Sequence, residues 1–184
     1  IGFYEVPSSD VDLAAMASAG VNLLRCGNEK DLERISKAGM MAAYYLNVAQ
    51  GNTDALKNQV ESVMNHPALA VWEGPDEIVW TFTAASWLWR KGERAVFDQK
   101  GEWWKQTPDA FEYSEKMAKE IIPKLSKGID LVKKIDHNKH PVWINEARNS
   151  DVKFCRQYRD HIDITGCDYY PIRGKIRDAV KLGK

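Results

Sequence analysis

The sequence predicts an α/β fold of the (β/α)8 TIM barrel type, incomplete, with about six βα units in 184 residues. Three observations predict it. Apolar strand-like segments alternate with segments of helical spacing, which implies a mostly parallel sheet with right-handed crossovers. The turn after the first strand, VPSSD, carries neither GxGxxG nor a GK-Ser/Thr run, so an open doubly wound sheet with a phosphate site lacks its usual signature. Finally, chemistry-bearing side chains recur at the C-terminal ends of several strands, where a barrel gathers its site. A typical barrel takes about 250 residues, so six strands of eight are expected.

The elements follow in order. GFYEV (2–6) reads as the first strand and Pro7-Ser8-Ser9 as its exit. Ser9-x-x-Asp12 is an Asp variant of a capping box, with Leu13, Met16 and Ala17 at helical spacing behind it. Ala19-Gly20 closes that helix, glycine supplying the left-handed stop, and VNLLRC (21–26) is the second strand. The cycle repeats: Leu32, Ile35 and Ala38 mark a helix, Ala38-Gly39 ends it, and MMAAYYLN (40–47) is the third strand. Gly20 and Gly39 hold the same place in consecutive units. Leu56, Val60, Val63 and Met64 share one helical face, His66-Pro67 terminates it, and ALAVWEG (68–74) is the fourth strand. PVWIN (141–145) and DITGCDYY (163–170) are the fifth and sixth, with Val152, Cys155 and Tyr158 at helical spacing between them.

One connection is unusually long. From about residue 78 to 111 the chain leaves the short-loop pattern, and six of the seven tryptophans fall between residues 72 and 104. The helix expected over 111–135 contains Pro123, so a kink or split is expected there. The whole chain reads as one domain, 1–184, with a Trp-rich insertion in the loop after the fourth strand. It begins at Ile1 and stops in KLGK within a helical pattern, so both ends are expected to be cuts in a longer protein.

Composition narrows the partners. Lys plus Arg equals Asp plus Glu at 26 each, so no general field attracts nucleic acid or an anionic membrane. No apolar run approaches the ~20 residues of a membrane span. Cys26, Cys155 and Cys167 form no CxxC pair, and free thiols are expected; Cys167, alternating with Asp168, is expected in the core. His137 and His140 lie in the polar turn HNKH, with no acid or cysteine cluster beside them to complete a metal site. There is no GxSxG elbow. Neither a cofactor nor a metal is implied.

The stretch VWEGPDEIVW (71–80) carries the chemistry: an apolar strand followed at once by two acids, Asp76 and Glu77. Strand interiors disfavour such residues. Sugars offer CH faces that stack on aromatic rings and hydroxyls that bond carboxylates and amides. Cleaving a glycosidic bond needs two carboxyl groups, one to protonate the leaving oxygen and one to attack or to activate water. Strand-end acids beside a Trp-rich loop match that demand, although tryptophans in a long loop also simply fold it onto the barrel.

HPALAVWEGPDE (66–77) resembles the fourth strand of the clan A glycoside hydrolases, retaining enzymes with (β/α)8 barrels, in which the strand carries a Trp and closes on Asn-Glu. DITGCDYYPI (163–172) is similar to their sixth strand. The resemblance implies that Glu77 is the general acid/base. It implies a substrate contact for Asp76, which stands where the family has Asn. By their places at strand ends and in the Trp-rich loop of a barrel, Trp72, Trp80, Arg25, Asn47, Asn145, Asp168 and Tyr170 are expected to line the substrate cleft, with a structural salt bridge or turn as the other reading of Arg25 and Asn47. The family's nucleophile is a Glu ending the seventh strand, beyond this chain. Glu146 is the local candidate for a second carboxylate, with a binding or supporting role as the other reading. The activity implied is hydrolysis of an O-glycosidic bond with retention in a poly- or oligosaccharide, in a secreted or periplasmic setting. A barrel that binds carbohydrate without cleaving it is the alternative.

Overall fold

The computed structural model describes residues 1–83 and 108–168, with the backbone alone for 108–110. Six strands form one sheet: β1 (Gly2–Phe3), β2 (Leu23–Cys26), β3 (Met41–Tyr45), β4 (Leu69–Glu73), β5 (Val142–Ala147) and β6 (Ile164–Asp168). Every neighbouring pair is parallel, and the strands lie in the order of the sequence. That order distinguishes a barrel from a doubly wound sheet, whose strand order reverses at a switch point. The structure is a curled half-barrel, a partial (β/α)8 barrel.

The helices are α1 (Asp10–Ser18), α2 (Glu29–Lys37), α3 (Asp54–Val63), α4 (Pro108–Ile135) and the short α5 (Val152–Cys155). Their starts follow the sequence. Ser9 Oγ accepts from the N–H groups of Val11 and Asp12, Asn28 caps α2 through Asp31 N–H, and Thr53 caps α3 through Leu56 N–H. The two Ala-Gly endings are built alike. Gly20 (φ 90°) and Gly39 (φ 75°) donate to Ala17 and Ser36, and the next residues, Val21 and Met40, donate to Met16 and Ile35. This is the doubly bonded left-handed helix end that favours glycine.

Strand register sorts the side chains into two faces. Cys26, Tyr44, Trp72 and Val142 are aligned neighbours across β2 to β5, and they join Leu24, Leu32, Ile35, Val60, Leu125, Ile129 and Ile144 in the core under the helices. The opposite, inner face carries Arg25 beside Ala43, then Tyr45, Glu73, Trp143 and Ile164 in one row, and Asn145 beside Gly166.

Several sequence expectations are corrected. β1 pairs over two residues rather than five, and its exit runs to α2, where Arg34 donates to the carbonyls of Pro7 and Ser8. α4 runs as one helix through Pro123 rather than split there, and it packs over the 3-10 turn at Val48–Gln50. α5 ends at Cys155, short of Tyr158. Cys167 is exposed, since β6 is the last strand of the described sheet. The Trp-rich segment at 84–107, and Tyr169 with Tyr170, lie outside the described residues. No helix among the described residues is long and apolar enough to cross a membrane.

Candidate active site

The C-terminal rim of β4 turns inward through Gly74-Pro75. Gly74 N–H donates to Trp143 O (2.8 Å) and Glu77 N–H to Asn145 O (2.8 Å), so the segment after the strand stays tied to β5. Glu77 adopts φ 51°, a left-handed conformation that costs a non-glycine residue about 1–2 kcal/mol. Strain of this kind persists only where the surroundings over-determine it.

Three strand ends meet here. Asn145 Nδ2 donates to Asp76 Oδ1 (3.0 Å) and to Asp168 Oδ1 (2.7 Å), so one amide bridges the acids of β4 and β6. Glu77 is half-buried beside them. Burial first, then the negative charges of Asp76 and Asp168 and a hydrogen bond with Asp168, push its carboxyl above the ordinary glutamate range. The rim therefore holds a carboxyl group biased to the protonated form, as a general acid requires. Gly166 is the reason the bridge fits: a Cβ there would meet Asn145 Oδ1 at 2.5 Å and Trp143 Nε1 at 2.8 Å.

Deeper on the inner face lies a second group that the sequence reading did not single out. Glu73 is 1% exposed, and Arg25 Nε lies 2.9 Å from its Oε1. That is an ion-pair distance without hydrogen-bond alignment, and neither carboxylate oxygen has a hydrogen-bond donor. The Arg25 guanidinium is flanked by Tyr45, 4.8 Å from the ring centre, and Tyr4, at 5.6 Å. Burial raises Glu73 to about 7 against the opposing pull of Arg25. Burial and the charges of Asp76, Glu73 and Asp168 raise the Tyr4 phenol to about 12. The signal in the sequence was strand alternation: if Trp72 faces the helices, its neighbour Glu73 must face inward.

The structure moves two of the sequence-predicted residues out of the cleft. Trp72 is 1% exposed on the helix side, edge-on to Tyr44 and His140 at 6.0 and 6.1 Å. It supports the strand and cannot meet a sugar. Glu146 also faces the helices. Its carboxylate accepts from Tyr158 OH (2.7 Å), Ser150 Oγ (2.6 Å) and Val79 N–H (3.1 Å), which clamps the segment after Glu77. Burial raises its carboxyl and those hydrogen bonds oppose the rise. Trp80 is half-buried in the 3-10 turn Trp80–Phe82, and Asn47 is exposed just past β3. Tyr170 lies outside the described residues. Among the described residues no three His, Cys, Asp or Glu are placed to hold a metal ion.

No family model matches the chain, and no curated protein matches it. Solved structures do. A β-galactosidase from the Antarctic haloarchaeon Halorubrum lacusprofundi aligns over 93% of this chain and 40% of its own, with a TM-score of 0.62 and 15% identity. A β-galactosidase from the psychrophilic Marinomonas ef1 covers the same shares, at a TM-score of 0.56 and 11% identity. A calcium-binding mutant of Bacteroides uniformis β-glucuronidase 2 aligns over 95% of this chain and 21% of its own, at 0.56 and 15%. This chain thus spans less than half the length of each. At such identities the likeness shows the fold: the chain is a six-stranded part of a (β/α)8 barrel that these glycosidases share.

Proposed function

We propose that this chain is part of a retaining glycoside hydrolase that cleaves O-glycosidic bonds in a poly- or oligosaccharide, with Glu77 as the general acid/base. The observation that carries the reading is the placement of Glu77. It sits at the C-terminal end of β4, held by backbone to β5, in a rim where burial and two acids favour its protonated form. The glycosidase neighbours, named for galactosides and glucuronides, support a carbohydrate substrate.

The chemistry follows from that placement. Protonated Glu77 donates to the glycosidic oxygen as the bond to the anomeric carbon breaks, and a nucleophilic carboxylate takes up that carbon. Glu77, now ionised, removes a proton from water, which attacks the glycosyl intermediate and regenerates both groups. Retention requires two carboxyl groups about 5–5.5 Å apart. Asp168 is hydrogen-bonded to Glu77, too close to leave room for a sugar ring, and Glu146 faces the helices. The reading therefore assigns the nucleophile to chain outside the described residues. Asp76, Asn145 and Asp168 are assigned to sugar hydroxyls.

The test uses the full-length protein and aryl glycosides of differing leaving groups. Glu77→Ala should lose about 10²–10⁴-fold with a poor leaving group, the usual contribution of general acid catalysis, and much less with a dinitrophenolate that needs no proton. Added azide, which attacks without a base, should restore turnover and yield a glycosyl azide of retained configuration. Equal losses for all leaving groups and no azide product would refute the role. Sugar binding without turnover by the wild type would point instead to a carbohydrate-binding barrel.

A further inference from the structure

Arg25 and Glu73 form a unit whose design bears on which sugars the site accepts, an inference that rests on the glycosidase reading. The pair stands on the inner face: Arg25 neighbours Ala43 on β3, and Glu73 neighbours Tyr45 on β3 and Trp143 on β5. Arg25 directs Nε at Glu73 and lies between the rings of Tyr4 and Tyr45. It lines two cavities, one of about 140 Å³ with Tyr4, Leu23, Ala43 and Trp143, the other of about 490 Å³ with Glu5, Gly27 and Tyr45. Its side chain keeps 32% of its surface open, whereas Glu73 keeps 1%. A guanidinium engaged through Nε still has four N–H donors on its terminal nitrogens, and no carboxylate or carbonyl among the described residues holds them.

We propose that this pair is a specificity element, presenting fixed N–H donors of no net charge to hydroxyl or ether oxygens of an uncharged sugar unit and disfavouring a uronic acid. Three features lead there. Ionised Glu73 cancels the guanidinium charge that would attract a carboxylate. Asp76 and Asp168 stand on the adjacent rim, so an incoming carboxylate meets like charge in a partly desolvated cleft. The flanking tyrosines hold the guanidinium plane and give a sugar's CH face an aromatic wall.

The experiment takes the full-length protein above pH 7, where Glu73 is ionised, with methylumbelliferyl β-glucoside, β-galactoside, β-mannoside and β-glucuronide. At least one neutral glycoside should exceed the glucuronide at least tenfold in kcat/KM. Glu73→Gln, nearly isosteric, leaves the Arg25 charge uncompensated and should narrow that ratio at least threefold in favour of the glucuronide. Arg25→Lys, which cannot offer two planar terminal nitrogens, should raise KM for the neutral substrate more than it lowers kcat. A wild type that prefers the glucuronide, or a ratio unmoved in Glu73→Gln, overturns the proposal and leaves the glycosidase reading standing. If no glycoside is turned over, that reading fails instead, and the pair is judged by nitrogen-15 NMR. The Arg25 guanidinium resonances should shift as Glu73 titrates near pH 7 in the wild type and stay fixed over that range in Glu73→Gln, and a wild type without that shift overturns it.

Discussion

Glu77 and Asp76 are adjacent in sequence, yet their environments differ: Asp76 is exposed and accepts from Asn145, while Glu77 is half-buried in a left-handed backbone conformation. The pairing has a consequence in pH. In the role proposed for Glu77, a general acid acts only when protonated, so the alkaline limb of the kcat/KM profile of the full-length protein reports its pKa. Asp76 is among the charges that raise the Glu77 value. Asp76→Asn removes that charge while keeping an oxygen for Asn145, so the alkaline limb should move to lower pH. A limb that stays in place would mean that burial and Asp168 set the acidity of Glu77 without Asp76. The acids at 76 and 77 could be read from sequence as a strand-end pair. The amide bridge that binds Asp76 to Asp168 could not, because its members lie 69 and 23 residues from Asn145.

At the level of elements, alternation along a strand decides which side chains reach the cleft. β4 places Trp72 under the helices and Glu73 on the inner face, and β5 does the same with Glu146 and Asn145. Glu146 serves the connection after β4: three donors converge on one carboxylate, and one of them, Val79 N–H, belongs to the segment just beyond Glu77. Glu146→Ala would leave a buried hydroxyl and a buried N–H unpaired, each at about 1–3 kcal/mol. It should destabilise the protein by about 2–4 kcal/mol, read as a lower urea midpoint at unchanged slope. Glu146→Gln, which keeps one acceptor oxygen, should recover part of that loss. Equal stability of wild type and Glu146→Ala would show that the clamp is not structural.

Across the whole molecule, the half-barrel depends on close approach between the helix layer and the strand-end turns. α4 crosses the turn at Val48–Gln50 at Gly128, where a Cβ would fall on the Val48 carbonyl oxygen, and backbone cannot yield as a side chain can. Gly128→Ala should therefore cost about 1–3 kcal/mol, as other forced overpacking does, despite the better helix propensity of alanine. A melting temperature at or above that of the wild type would contradict this packing. The βα rhythm, the Ser9 cap and the Ala19-Gly20 and Ala38-Gly39 stops were legible in the sequence because each is encoded within a few residues. So was the strand-end position of Asp76-Glu77. The two-residue β1 and the unbroken run of α4 through Pro123 were not, since Arg34 at the exit of β1 and the turn beneath α4 belong to distant parts of the chain. The sequence by itself determined the succession of elements and the kinds of side chain gathered at their ends. Only the tertiary structure decided that Trp72 and Glu146 turn away, that Asn145 joins three strand ends, and that Arg25 meets Glu73. Those outcomes depend on register between strands, and register is set by the packing of whole faces rather than by any local run of residues.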